Sequence, residues 1–265
     1  MQENFFALLE EILHTPQISK RFALFESLLS SLSSLCLDHT YTIRHIGSPI
    51  YQGICKIVHP TKISRPKILK NDTAMASFLH SIAHIEYSAI DLALDASYRF
   101  RNLPMEFYLN WIEVAKEEIQ HFQMLRSLLQ RIGFDYGDFE VHSNLFDAMK
   151  ATPIFADRMA LVHRGLEAGG LDANPFVVQK VSKSSHHLRD EILQVLQVIL
   201  KDEISHVSKG DKWWKFSNDS RSFEEILRHY SYTPPKILNT QARLQCGFSP
   251  DELSSLQNFH LPHSI

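Results

Sequence analysis

Two hexapeptides, KEEIQH at Lys116–His121 and KDEISH at Lys201–His206, repeat a Lys-acid-Glu-Ile-polar-His pattern at an interval of 85 residues (201 − 116). In each, a glutamate and a histidine stand three apart: Glu118 with His121, and Glu203 with His206. On a helix that spacing puts both side chains on one face. The face is an apolar one. Glu118 falls in the stripe Trp111, Ala115, Phe122, Leu125, Leu129, and Glu203 in the stripe Ile192, Val195, Leu196, Ile199. A carboxylate carried into an apolar interior is costly unless a cation meets it. The chain must therefore fold so that two long helices turn an acid and an imidazole inward, toward positive charge.

The rest of the sequence supplies partners for those helices. Residues 72–100 give a helix whose Leu79, Ile82, Ala89, Ile90 and Ala93 share a face with Glu86. Pro104 opens the next helix, which runs to about Arg131 and carries the first hexapeptide. A third starts near Ile154 with Ala156, Ala160, His163 and Glu167 on one face. The segment AGGLDANP is expected to interrupt it, since Gly169, Gly170 and Pro175 all weaken helix. The fourth, about His187–Phe216, carries the second hexapeptide. IEYSAID and LEAGGLD echo one another around Glu86 and Glu167, so the repeat reads as Glu-helix then ExxH-helix, twice. Only nine glycines occur in 265 residues, which favours helices over a turn-rich β fold.

Three regions are thus expected. Residues 1–71 hold two amphipathic helices, 4–14 and 18–37, and an arm, 39–71, that packs on the bundle. Residues 72–216 form an all-α four-helix bundle, and 217–265 a C-terminal extension. That extension has one short helix near Phe223–His229, a last piece near Pro250–Asn258 and irregular chain between. The arm has no Asp or Glu but carries Arg44, Lys56, Lys62, Arg65, Lys67 and Lys70. It reads as an extended strap with a short hairpin around TYTIRHIGSPIYQGICKIV. GFDYGDFEVHSN begins a long connection.

A formal net charge of −3 gives no global pull toward nucleic acid, although the basic arm could meet phosphate. Cys36, Cys55 and Cys246 are isolated, which suggests neither a disulfide framework nor a thiolate zinc site. The start, MQENFFALLEEILH, lacks a basic leader region, and no apolar run nears the ~18 residues a membrane span needs. These features together lead to the expectation of a cytoplasmic protein.

Four glutamates (Glu86, Glu118, Glu167, Glu203) and two histidines (His121, His206) on four helices match the ligand set of a two-metal carboxylate bundle. One ExxH alone is usually a solvated pair, but two on apolar stripes, each preceded by a helix with an inward Glu, are hard to obtain by chance. Four carboxylates offset two divalent ions, and oxygen ligands with imidazole suit iron, with manganese as the alternative. His163 could support the ligands or be an ordinary core histidine. Glu117 and Asp202 read as surface charges, and Tyr87 and Tyr108 as packing residues with redox capacity.

The stretches AHIEYSAIDLALDA, AKEEIQHFQML, YGDFEVH, LEAGGLDANP and LKDEISHVSKGDKWW, within about residues 72–216, resemble the ferritin-like superfamily. Within it they resemble an uncharacterised bacterial family, domain of unknown function 455. The resemblance implies a ferritin-like bundle with metal ligands on the same six residues. Three scattered cysteines cannot build the Cys₄ iron site of rubrerythrins, and the added ends argue against a plain storage cage. The leading expectation is a di-iron or Mn/Fe oxidoreductase activating O₂ or peroxide, with a separate substrate and electron donor. The alternatives are a ferroxidase or peroxide-handling protein, a tRNA-modifying hydroxylase, and a helical module with a structural metal pair. Oligomeric state stays open.

Overall fold

The computed structural model describes residues 3–259. The last six residues of the expected C-terminal extension, and the first two of the N-terminal region, lie outside it. Among the described residues the elements are helical, with two isolated bridges, Asn4 to Cys36 and Ile57 to Val141, and no strand. The chain divides into two compact units. The first takes residues up to 67 together with 71–146, and the second takes 68–70 and everything from 147 on.

The first unit opens with α1 (Phe5–Leu13), capped by Asn4 Oδ1, which accepts from the Phe6 N–H at 3.0 Å. Next comes α2 (Ile18–Ser31), which ends six residues before the expected Leu37 and passes into a 3₁₀ turn, Leu32–Ser34. Its serine-rich end explains the early stop. Ser27, Ser30 and Ser31 hydroxyls donate back to the carbonyls of Ala23, Glu26 and Ser27, competing with the helix ladder. Then α3 (Asp72–Arg99) starts at Asn71, whose Oδ1 caps the Ala74 N–H at 2.9 Å, and α4 (Met105–Arg131) follows directly after Pro104. The two long helices pack on each other, and α1 packs on α2 and α3.

The expected hairpin in the arm does not form. Residues 39–67 contain two 3₁₀ turns, Ile50–Gly53 and Pro60–Lys62. The one ladder-like contact runs instead to the loop after α4, where the Val58 N–H donates to Val141 O at 2.8 Å and the Val141 N–H to Lys56 O at 3.0 Å. Pro49 and Pro60 remove donors that a hairpin would need. Ile46, Tyr51 and Cys55 anchor the arm inward, while Arg44, Lys56, Lys62, Arg65 and Lys67 face solvent.

A helix not expected from the spacing, α5 (Asn144–Ala151), lies within the long connection after α4. In the second unit one turn, α6 (Phe155–Asp157), runs into a π-helical stretch, Arg158–Leu166, and on into α7 (Glu167–Ser182). The expected interruption at AGGLDANP is thus absent. Pro175 stands inside α7, where it removes the donor that would reach the Leu171 carbonyl four residues back. Asn239 Nδ2 donates to that carbonyl instead, at 3.2 Å. Two glycines and a proline cost roughly 1 and 3 kcal/mol each in a helix. Burial of Leu171, Ala168 and Val181 works against that loss, at roughly 1.5–3 kcal/mol for each large side chain.

The long α8 (Arg189–Phe216) packs on the π stretch and on α7. The chain beyond it is less irregular than expected. It forms α9 (Phe223–His229), α10 (Thr240–Gln245) and α11 (Pro250–Gln257). Their Phe223, Leu227, Ala242, Leu253 and Leu256 join Leu161, Leu171 and Val207 in one apolar core. Reciprocal capping boxes, Ser222 with Glu225 and Ser249 with Glu252, start α9 and α11.

Candidate metal centre

Within the first unit the structure brings three of the six expected ligands together. Glu86 on α3 and Glu118 and His121 on α4 are 4%, 1% and 0% exposed. His121 Nδ1 lies 3.1 Å from Glu86 Oε2 and 3.4 Å from Glu118 Oε2. One ligand atom from each of the three falls within 4.8 Å of the others. Ala83, Ala89 and Ala93, at helical spacings from Glu86, and Ala115, three residues before Glu118, are all buried.

The electrostatics of this cluster follow from burial and from like charge. Desolvation, then repulsion from Glu118, raises the Glu86 carboxyl from its usual 4.5 to about 7, against the hydrogen bond from His121. Burial works against the His121 imidazolium, but the two carboxylates outweigh it and hold the ring protonated well above its usual range. The Nδ1 proton is thus the local counter-charge. A divalent ion would replace it, and a donor set of two carboxylates and an imidazole suits such an ion. This buried Glu/His cluster could hold a metal ion.

The residues next to the ligands form a packed ring cluster. Tyr87 follows Glu86 and Phe122 follows His121, and their centroids are 4.8 Å apart. Tyr136, from the loop after α4, lies 5.0 Å from each. His84 fixes that loop. Its Nε2 is 2.7 Å from the His142 carbonyl, which can only accept, so Nε2 carries the proton and Nδ1 accepts from the Tyr136 hydroxyl at 3.0 Å. His80 takes the other tautomer, its Nε2 accepting the Gly137 N–H at 2.9 Å. Arg21 of α2 is fully buried, pairs with Asp91 of α3, and lies over the Tyr87 ring at 5.3 Å. Sequence reasoning missed Arg21, His80, His84 and Tyr136. The sole signal was the i, i+4 pair His80/His84 just before Glu86.

In the second unit α8 carries Glu203 and His206, both buried, with His206 Nδ1 3.9 Å from Glu203 Oε1. Glu167 is half-buried and opens α7 directly after the π stretch, where its own N–H bonds to Val162 O, five residues back. That longer turn alters the expected stacking of His163 over Glu167, which assumed four residues per step. His163 is buried, and desolvation, Arg158 and His206 push its pKa well below the usual range, so the ring is neutral. Neither Gly169 nor Gly170 meets close contacts. A Cβ at Gly169 would come no nearer than 3.9 Å, to Tyr232 Oη, and one at Gly170 would meet nothing.

These features define an all-helical protein with a buried glutamate–histidine cluster able to hold a metal ion. The chain belongs to the family described as protein of unknown function (DUF455), which matches residues 14–254. A protein of Haemophilus influenzae, named "Uncharacterized protein", is 40% identical over 193 residues, or 67% of this chain and 66% of that protein. The chain thus aligns over slightly less than two thirds of that relative's length. No solved structure matches it. No helix among the described residues is long and apolar enough to cross a membrane.

Proposed function

We propose that this protein is a two-metal carboxylate oxidoreductase that activates O₂ or peroxide. In this reading α3, α4, the π stretch with α7, and α8 form a ferritin-like bundle. Glu86, Glu118, His121, Glu167, Glu203 and His206 hold two ions, iron or manganese, and the protein acts in the cytoplasm on a separate substrate with a separate electron donor. The observation that carries the reading is the Glu86–His121–Glu118 cluster, in which two buried carboxylates share a single imidazole nitrogen. When Glu86 ionises, two mutually repelling carboxylates meet at one imidazole, and a divalent ion between them would relieve that repulsion. The hexapeptide repeat supplies a second Glu–His pair on α8, at the same i, i+3 spacing.

A redox-active metal pair held by these residues would supply the electrons for reducing O₂ or peroxide. The chain's own residues hold and shield it. Glu86 and Glu118 would provide oxygen donors and His121 a nitrogen once its Nδ1 proton has left, in a cluster whose three side chains are almost fully buried. Protein purified without oxygen and loaded with Fe(II) should bind about two irons per chain and consume about one O₂ per two irons. Stoichiometric binding without oxygen uptake would leave a structural metal. Uptake sustained over many irons with mineral formation would make the protein a ferroxidase.

A second reading, contact with RNA, is favoured by one observation: Arg44, Lys62, Arg65 and Lys67 of the acid-free arm are all exposed. Salt-sensitive RNA binding would support it.

A further inference from the structure

The second unit contains a buried arginine that the metal-site reading does not use. Arg164 lies inside the π stretch, next to His163 and three residues before Glu167, and is 0% exposed. Its Nε donates to Asp211 Oδ1 of α8 at 2.8 Å, and its Nη2 to Glu252 Oε1 of α11 at 2.8 Å. Its guanidinium lies over the rings of Phe248 at 3.9 Å and Phe223 at 4.3 Å. One side chain thus ties the π stretch to α8 and to the C-terminal helices.

The backbones meet at the same place. A Cβ at Gly210 would lie 2.2 Å from the His163 carbonyl oxygen and 2.9 Å from the Arg164 nitrogen, so α8 rests directly on the π backbone there. Gly210 is one turn beyond His206 and two beyond Glu203. A π turn is a rare backbone state that needs outside contacts to persist. Here the contacts come from the residue beside His163 and from a carboxylate 88 residues away.

We propose that Arg164 and Glu252 are positioning residues. Through them the C-terminal helices hold the π stretch against α8, and so set His163 and Glu167 relative to Glu203 and His206. The inference rests on the metal-site reading for its consequence, but not for its geometry. Outer partners of metal ligands typically change affinity 10–100-fold when removed.

Four full-length forms test it: wild type, Glu252→Ala, Glu252→Gln and Ser249→Ala. Glu252 also caps α11, accepting the Ser249 N–H through Oε2 at 2.8 Å. Ser249→Ala breaks that capping box without touching Arg164, and Glu252→Gln keeps one acceptor oxygen, which can still serve Arg164 Nη2 at the expense of the Ser249 N–H. Two quantities are read: Mn(II) affinity by EPR titration, and the ring ¹⁵N shifts of His163 and His206 in metal-free protein. Glu252→Ala should weaken the weaker Mn(II) site at least tenfold and move both ring signals. Ser249→Ala and Glu252→Gln should stay within about threefold of wild type. Wild type that binds no Mn(II) would end the metal reading, and the ring shifts would then decide the positioning role alone. Folded Glu252→Ala with wild-type ring shifts overturns the proposal, as does a Ser249→Ala variant that reproduces its effects.

Discussion

Glu86→Gln should make the metal-free protein more stable while removing the proposed metal binding. The reason lies in the charge of the first-unit cluster. At pH 8, two carboxylates face one imidazolium in a site almost closed to water, and the two acids repel each other. Glu86 carries the strain, its pKa standing at about 7 against the usual 4.5. Each pH unit of such a displacement corresponds to about 1.4 kcal/mol. Between pH 4.5 and 7 the folded protein retains a proton that the unfolded chain has released. This contribution to stability is therefore full below 4.5 and is lost as pH rises through 7. Above pH 7 ionised Glu86 costs the folded state up to about 3 kcal/mol, and a neutral glutamine of the same shape avoids that cost. Its side-chain oxygen can still accept from His121, whose charge stays paired with Glu118 at 3.4 Å. Allowing for the lost pairing of Glu86 with His121, the expected gain is about 1–3 kcal/mol at pH 8, and close to zero at pH 4.5. Urea unfolding in chelator, followed by circular dichroism at both pH values, measures it. Excess Mn(II) should then stabilise wild type but not the variant, because an ion that binds only the folded state adds to its stability. A variant less stable than wild type at pH 8, or one with the same gain at both pH values, would show that the cluster is an ordinary satisfied polar core.

The remaining expectations concern other parts of the molecule. Burial lowers the His80 pKa to about 4 and the His84 pKa to about 3, so their stabilising contribution is full above pH 6.5 and disappears as pH falls through those values. His80→Gln keeps an acceptor for the Gly137 N–H without titrating. It should flatten the loss of stability between pH 6.5 and 4 by roughly 1–3 kcal/mol, and an unchanged slope in urea titrations would contradict this. Asn239→Ala removes both the cap of α10 and the donor that serves Leu171 O. It should cost about 1–3 kcal/mol in chemical denaturation. In the proposed two-metal site, His206→Ala should lower bound metal from about two ions per chain to about one, by elemental analysis, while the helical circular dichroism signal persists.

The long helices and the first-unit cluster were legible because burial of an acid leaves a mark in one dimension. Glu118 and Glu86 break apolar stripes at helical spacing, and His121 sits where i, i+3 puts it beside Glu118. What stayed hidden depends on residues far away in sequence. RMALVHRGL carries no local sign of a π turn, since Gly210 and the Arg164 contacts that support it come from α8 and α11. AGGLDANP looks like a break until Asn239, 68 residues beyond Leu171, is seen to take the carbonyl that Pro175 leaves. The Arg21–Asp91 pair spans 70 residues and leaves no periodicity to read. In the arm, proline and glycine signalled turns correctly, but the partner of its one bridge, Val141, lies beyond two long helices.

The two hexapeptides share a code, yet the chain has not given them like surroundings. The first lies on α4, an unbroken helix packed on an unbroken α3, and its imidazole already contacts two carboxylates at 3.1 and 3.4 Å. The second lies on α8, against a partner whose backbone switches from α to π and back within two turns of Glu167, and its His–Glu contact is 3.9 Å. A site already held in its binding geometry loses less freedom when an ion arrives. The first Glu–His set is therefore the better organised of the two, and the second depends on more distant support, through Gly210, Arg164 and Glu252.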